Sequence, residues 1–230
     1  MRLVIVGNGK MGKAIAALAE DRGHAVHGII GRQDGEKALA SERLKGVDVA
    51  LEFTRPEAAP ENVRRLIEAG IPTVCGTTGW DAELPRVAEL VRARGGALLH
   101  APNFSVGVHL FLRAARELAR QLAGREEFGG FITEEHHAAK RDAPSGTALL
   151  LQQRLREVDP GREFPITSVR AGVTPGTHTI GYDGRFERIA LTHVARSREG
   201  FAAGALAAAE WLPGRAGVFG IEDMLFGGSG

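Results

Sequence analysis

Residues 3–12, LVIVGNGKMG, decide how the first half of the chain folds. The opening LVIVG is a continuous apolar run, the pattern of a short strand buried on both faces of a parallel sheet. Directly behind it, GNGKMG (7–12) spaces its glycines as G-x-G-x-x-G where a helix opens. Gly7 permits a tight turn, Gly9 lets backbone approach a pyrophosphate, and Gly12 lets the helix pack closely on the strand. The phosphates would rest on the helix N-terminus, whose first backbone N–H groups lack partners. A glycine-rich turn that binds nothing uses the same letters, so the flanking segments must arbitrate.

Those segments extend the pattern. Met11, Ile15, Leu18 and Ala19 fall on one helical face, and Gly23 ends that helix. AVHGII (25–30) and VDVALEF (47–53) read as the second and third strands. Thr54 and Glu57 have capping-box spacing, with Pro56 early in a helix expected to reach about Gly70. IPTVCG (71–76) is a further strand, then comes a helix from Asp81 to about Arg94 and a strand at ALLHA (97–101). Successive βα units predict an α/β fold with a Rossmann-like, doubly wound parallel sheet.

At the end of the second strand an acid would normally meet the adenosine ribose. Here the chain reads IIGRQDG (29–35), with Gly31 in the acid's place and Arg32 beside it. An arginine without the acid favours a 2′-phosphate, hence NADP(H) over NAD(H), while Asp34 stays open as a ribose ligand. GTTGW (76–80) and APNFS (101–105) follow buried strands at the same sheet edge, and their small residues and hydroxyls let backbone reach a nicotinamide. Helix capping by Asp81 and Ser105 accounts for part of these loops but not for the pair Thr77-Thr78.

Past residue 103 the pattern changes. SVGVHLFLRAARELARQLAG (105–124) is a long amphipathic helix with Val108, Phe111, Leu112, Ala115, Leu118, Ala119 and Leu122 on one side. FITEEHH, ITSVRAG, HTIGY and FERIALTHVA follow as strands, with one helix near 146–158 between the first two. This predicts a second, α+β domain with a mostly antiparallel sheet. FAAGALAAAEWL (201–212) is a last helix that can return the chain to the first domain. The expected division is 1–103 plus 211–230 for dinucleotide binding, and 104–210 for substrate binding. FGGSG (226–230) reads as a frayed end.

Bulk properties exclude several classes. Among 230 residues, 43% hydrophobic and 25% charged, the formal net charge is +1, so neither a nucleic-acid nor a membrane-surface binder is expected. The single Cys75 cannot form an intrachain disulfide and fits a reducing compartment, so a cytoplasmic location is expected. The apolar run in MRLVIVGNGKMG is too short for a signal peptide or a membrane span.

The densest chemistry lies in EEHHAAKRDAPSGTA (134–148). Pro144 forbids one helix through the segment, which puts His136, His137 and Lys140 on a loop. A helix then starts near Ser145, and its N–H groups at Gly146 and Thr147 form an anion site. Two histidines, a lysine and a helix N-terminus suit an anionic substrate and a proton donor. No metal is expected, because adjacent strand histidines point apart and no Cys or carboxylate partner has zinc spacing. A solvated loop before a capped helix is the plainer alternative.

This stretch resembles the E-x-H-H-x-x-K-x-D-x-P-S-G-T signature of the 4-hydroxy-tetrahydrodipicolinate reductase (dihydrodipicolinate reductase) family of bacterial lysine biosynthesis. LEFTRPE (51–57) resembles the family's D-F-T-x-P segment, and GTTGW and APNFSVGVHLF its G-T-T-G and A-x-N-F-S-x-G-V segments. VRAGVTPGTHTIGY resembles V-R-x-G-x-x-x-G-x-H, and LTHVARSREGFAAGALAAAEWL the closing helix. The signatures occur in order over nearly the whole chain.

The resemblance implies reduction of 4-hydroxy-tetrahydrodipicolinate to tetrahydrodipicolinate by NADPH and/or NADH, on the route to diaminopimelate and lysine. It implies that Gly7, Asn8, Gly9, Lys10, Met11 and Gly12 hold the cofactor pyrophosphate, with Arg32 near the 2′-phosphate. Gly76, Thr77, Thr78, Ala101, Pro102, Asn103 and Phe104 would line the nicotinamide side. His136 would be the acid/base residue and Lys140 a proton donor, while His137, Gly146 and Thr147 would hold substrate carboxylates. Arg170 and His178 lie in a matched segment and are carried as shaping the domain. Two domains closing over the substrate and a homotetramer built through the second domain's sheet are also implied.

Four departures stand out. The glycine loop is one residue shorter than the commoner family form. Glu52 stands for the usual Asp, Glu135 for an alanine, and Gly31 for an acid common in members that use both cofactors. Strand alternation should turn Glu135 away from the site. Two rivals remain open: a two-domain dehydrogenase of an amino or keto acid, such as aspartate dehydrogenase, and a silent NADP(H)-binding regulator. The His-His-x-x-Lys before Pro-Ser-Gly-Thr argues against the first, and the presence of both His136 and Lys140 against the second.

Overall fold

The computed structural model describes residues 1–34, 36–197 and 199–227, without the side chains of residues 36 and 37. The expected frayed end at 226–230 therefore lies in part outside the described residues. In chain order the first elements are β1 (Arg2–Val6), α1 (Lys10–Asp21), β2 (Ala25–Ile30), β3 (Val49–Glu52), α2 (Ala59–Glu68), β4 (Thr73–Cys75), α3 (Leu84–Ala93) and β5 (Ala97–His100). Next come α4 (Val106–Leu122), β6 (Gly129–His136), α5 (Gly146–Arg156), β7 (Ile166–Arg170), β8 (Gly176–Asp183) and β9 (Arg188–Ala195). The chain closes with α6 (Glu199–Trp211), β10 (Gly217–Phe219) and α7 (Ile221–Phe226).

Two compact units result, Met1–Ser105 with Glu199–Gly230, and Val106–Arg198. The first holds a six-stranded parallel sheet in the order β10-β5-β4-β3-β1-β2. Its four central strands, β1, β3, β4 and β5, are buried on both faces, as the mostly apolar runs there require, while the edge strands β2 and β10 are partly exposed. Leu3, Ile5, Val49, Leu51 and Leu99 face α1 and α6, through Ile15, Ala19, Ala205 and Leu206. On the opposite face Val4, Val6 and Ala50 pack with Leu66 of α2, and Cys75 and Leu98 with Val63, Val87 and Val91 of α2 and α3. Helices thus cover both sides, and the order of connection reverses between β1 and β3, where such sheets open a crevice.

The return of the chain begins earlier than the boundary at 211 had placed it. The whole of α6 belongs to the first unit, because its alanine-rich face buries Ala202, Ala205, Leu206 and Ala209 in that core. Gly204 lies so close to the chain at Phe104 that a Cβ would stand 1.7 Å from the carbonyl oxygen. Two helix starts also differ from expectation. The hydroxyl of Thr54 hydrogen-bonds the Glu52 carboxylate instead of capping, so a turn over 55–58 intervenes and α2 begins at Ala59 with Pro60 in its first turn. Likewise Asp81 starts a turn, and α3 begins at Leu84. The strand β10 and helix α7 have no counterpart in the sequence reading, being too short for periodicity to register.

The second unit is a four-stranded sheet, β7-β6-β8-β9, parallel only between β6 and β7. One face packs on α4 and α5, with Phe111, Leu112, Ala115, Leu151 and Leu155 against Ile132, Ile180 and Tyr182. Alternation along β6 turns Ile132, Glu134 and His136 inward, all buried, and leaves Glu135 exposed, as the period of two requires.

Candidate active site

In the first unit, a cleft of about 410 Å³ opens at the C-terminal edge of the sheet. Gly7, Asn8, Gly9 and Arg32 line it, together with Gly31, Phe53, Thr54 and Arg55. Gly7 has φ +117°, and a Cβ there would fall 2.1 Å from the Phe53 carbonyl oxygen, so only glycine lets β1 and β3 end so close together. Gly9 is different. A Cβ on Gly9 would meet nothing within 4 Å, and its φ of −75° is open to any residue. The protein itself does not demand glycine there, and the bare Cα leaves room for a group approaching from the cleft. Gly9 is also the N-cap of the 12-residue α1, with no side-chain cap and no acidic residue in the first turn. These features fit a dinucleotide pyrophosphate, with Gly7 to Gly9 as its cradle.

Lys10, Met11 and Gly12 open α1 behind this loop, and a Cβ on Gly12 would strike the Gly7 carbonyl oxygen at 1.9 Å. Arg32 and Arg55 are exposed at the cleft. The Gly31 N–H donates to Asp34 at 2.6 Å, so the acid kept open as a ribose ligand instead closes its own turn. The absence of an acid at position 31 also has a local reason: a Cβ there would lie 2.6 Å from the Asn8 amide nitrogen.

Gly76, Thr77 and Thr78 follow β4, and Ala101, Pro102, Asn103 and Phe104 follow β5, at the same edge of the sheet. Thr77 is buried and donates to the Glu52 carboxylate at 2.7 Å, while its oxygen accepts the Thr54 N–H at 2.8 Å. Cys75 and Asn62 also donate to Glu52, each at 3.2 Å. Glu52 therefore staples the loop after β3 to the loop after β4. Burial, and then the neighbouring Glu52, push the Cys75 thiol well above its usual range, which rules it out as a nucleophile. Asn103 is engaged in its own turn, accepting the Ser105 N–H at 2.8 Å.

In the second unit the chemistry gathers at the C-terminal end of β6. His136 is the last residue of that strand, not a loop residue, and only 7% exposed. Its Nδ1 hydrogen-bonds Glu134, which is fully buried and shares its strand face. Arg170, at the end of β7, holds both oxygens of Glu134 at 2.6 and 3.0 Å, and also donates to the Asp142 carbonyl at 2.7 Å. His178, opposite Glu134 on β8, sets its ring against His136 at 5.2 Å, and its Nε2 meets Ser145 Oγ at 2.9 Å. Ser145 is the N-cap of α5 and accepts the Ala148 N–H at 3.2 Å, leaving Gly146 and Thr147 as the first helical residues. Their N–H groups have no acceptor within the helix, which leaves donors suited to an anion at that end.

Charges there follow from contacts. Burial would raise the Glu134 carboxyl, but hydrogen bonds from Arg170, Ser168 and His136 outweigh it and hold the group at about 2. Burial lowers His136 below the usual imidazole range against the pull of Glu134, and lowers His178 to about 4. Lys140 is ion-paired with Asp142 at 2.7 Å, which holds that carboxyl below its ordinary value. His137 is half-buried, with its N–H on the Thr174 carbonyl at 2.8 Å.

The family resemblance leaves Arg170 and His178 as shaping the domain, and the sequence singles out neither Glu134 nor Ser145 as functional. The strand period was the available signal, since Glu134 lies two residues before His136 and must share its face. The same period supplies the carboxylate partner that the metal argument had found lacking: donor atoms of Glu134, His136 and His178 lie within 4.8 Å of one another. Arg170 already supplies positive charge to both Glu134 oxygens, so a hydrogen-bonded network is the better account of the cluster.

One unit carries a nucleotide-type cleft and the other gathers His136, His178 and Lys140 near the N-terminus of α5, an arrangement that fits a two-domain oxidoreductase. Comparison with known proteins narrows that class. Residues 1–104 match the family model for the dihydrodipicolinate reductase N-terminus, and residues 107–225 the model for its C-terminus. A 4-hydroxy-tetrahydrodipicolinate reductase of Christiangramia forsetii is 35% identical over 98% of each chain, and one of Thiobacillus denitrificans is 37% identical over 98% of each. A dipicolinate-bound dihydrodipicolinate reductase from a Paenisporosarcina species has the same fold, with a TM-score of 0.79 and 22% identity over 96% of this chain and 97% of that one. The chain belongs to the dihydrodipicolinate reductase family.

Proposed function

We propose that the chain reduces 4-hydroxy-tetrahydrodipicolinate, or the dihydrodipicolinate formed from it by loss of water, to tetrahydrodipicolinate with NAD(P)H. The observation that carries this is His136, buried against Glu134 on the strand that leads through Lys140 to the α5 N-terminus. The bound nicotinamide supplies the hydride. Gly7, Asn8, Gly9, Lys10, Met11 and Gly12 hold the pyrophosphate, and Gly76 to Thr78 with Ala101 to Phe104 bound the nicotinamide side. The N–H groups of Gly146 and Thr147 take a ring carboxylate, and His137 and Lys140 neutralise the remaining charge. His136 moves the proton that accompanies reduction, with Lys140 as a second donor once the substrate draws it from Asp142. An absorbance assay at the nicotinamide band with freshly made substrate tests this: steady oxidation is expected, and none by a folded, cofactor-bound chain refutes it.

Cofactor choice is read from Arg32 and Gly31. With Asp34 turned onto the Gly31 N–H and Arg32 at the cleft, NADPH is the preferred donor. Arg32→Ala should lower the kcat/KM ratio of NADPH to NADH by about tenfold, the loss of one exposed charge-assisted contact. An unchanged ratio would take Arg32 away from the 2′-phosphate.

Assembly as a homotetramer is supported by the uncovered face of the second sheet. Thr133, Val169, Thr177, Thr179, Thr192 and Val194 share that side, with Val169 and Val194 among the exposed large apolar residues. Light scattering should give four times the chain mass. The buried free thiol of Cys75 is in keeping with a cytoplasmic setting.

A further inference from the structure

The contacts of Glu134 settle more than the burial of a charge. A carboxylate accepts hydrogen bonds and has no proton to give, so the ring atom facing it must be the donor. Nδ1 of His136 faces Glu134. Arg170 keeps Glu134 in this role by donating to both oxygens, and the Ser145 N–H approaches Oε1 at 3.3 Å. The other ring nitrogen, Nε2, points toward Gly176, where a Cβ would come within 2.8 Å of it. A side chain at 176 would cover this atom, and glycine leaves it bare. Nη2 of Arg170, which donates to Oε1, also donates to the Asp142 carbonyl and so ties the same carboxylate to the loop that carries Lys140.

Resting on the assignment of His136 as the acid/base residue, we propose that Glu134 and Arg170 form a positioning pair. It fixes the proton of neutral His136 on Nδ1 and leaves Nε2 as the atom that exchanges a proton with substrate. In the reductive direction the imidazolium gives up its Nε2 proton and returns to the Nδ1–H form. Glu134 stays ionised throughout, and water supplies the next proton. The charged and titratable groups facing His136 are Glu134 from its own strand, Arg170 from β7, His178 from β8 and Lys140 from the following loop. A carboxylate orienting a catalytic imidazole in this way acts through the tautomer, and in hydrolase triads an amide in its place turns the ring to the wrong one.

The test reads the ring directly. Two-bond ¹H–¹⁵N correlation spectra of histidine-labelled protein, with His136 assigned from a His136→Gln variant, should show the Nδ1–H tautomer of neutral His136 without cofactor or substrate. In Glu134→Gln, Arg170 holds the amide oxygen and turns the amide NH₂ toward Nδ1, so the tautomer should change to Nε2–H. With it, kcat should fall by about 10²–10³-fold while cofactor KM stays within about twofold. The limb of the kcat/KM profile that needs protonated His136 should move to lower pH, since a negative charge beside the ring is gone. An Nε2–H tautomer in the wild-type chain overturns the proposal without any variant, and so does a Glu134→Gln variant that keeps kcat within about threefold. A wild-type chain with the Nδ1–H tautomer and no reductase activity supports the Glu134 assignment while refuting the reductase.

Discussion

At the scale of single residues, two buried carboxylates set both halves of the chemistry by different means. Glu134 is matched by a guanidinium, whereas Glu52 is held by neutral donors: two hydroxyls, an amide and a thiol. Removing Glu52 strands those donors in the interior. Glu52→Ala should therefore cost about 2–3 kcal/mol of stability, read as a lower urea midpoint, and raise the KM for cofactor as the loop at Thr77 loses its staple. Lys140 belongs to the other half. In the proposed mechanism Lys140→Ala removes a proton donor and a carboxylate partner, so kcat should drop by about 10²-fold with cofactor affinity nearly unchanged. Equal loss of cofactor binding, measured by fluorescence titration, would place Lys140 in the wrong site.

At the scale of elements, short contacts decide where helices begin and which unit they join. The N-cap of α5 does two things, since Ser145 Oγ accepts the Ala148 N–H and meets His178. Ser145→Ala should cost about 1–2 kcal/mol through the lost cap, with substrate KM rising as the anion-binding end of α5 loosens. Helix α6 depends on a contact of another kind. Gly204→Ala drives a methyl into the Phe104 carbonyl and should destabilise the first unit by about 3 kcal/mol or more, visible in thermal scans. Elements with a full period of buried residues could be placed from sequence, as α4 shows. Those that start where side-chain chemistry intervenes could not. Thr54 had the spacing of a cap, yet the buried Glu52 carboxylate two residues away offered its hydroxyl a stronger partner.

At the scale of the whole molecule, the charges buried in the second unit govern how stability answers to pH. Folded His178 takes a proton near 4, and the unfolded ring near 6.5. As pH falls between these values the unfolded state binds the extra proton, and stability drops by at most about 3 kcal/mol. Glu134 works lower. Its folded value of about 2 against 4.5 unfolded gives a contribution fully present above 4.5 and lost as pH falls toward 2. Urea midpoints should therefore decline in two windows, and His178→Gln should shrink the upper decline, which the buried rings of His136 and His193 share, while leaving the lower one in place. No helix among the described residues is long and apolar enough to cross a membrane.

By itself the sequence determined the plan of a parallel α/β unit followed by an α+β unit. Apolar runs, a glycine loop and helical periodicity are local patterns, and local geometry fixes the element each can form. It likewise marked His136, Lys140 and the α5 N-terminus, because these lie within one fifteen-residue stretch. Tertiary structure decided which distant groups meet them. Arg170 reaches Glu134 only because β7 pairs with β6, His178 reaches His136 only because β8 lies on the other side, and α6 joins the first unit only through packing. Pairing across a sheet brings together residues more than thirty positions apart, and no spacing along the chain records it. The histidine was legible, while the carboxylate and guanidinium that aim it became visible only in the fold.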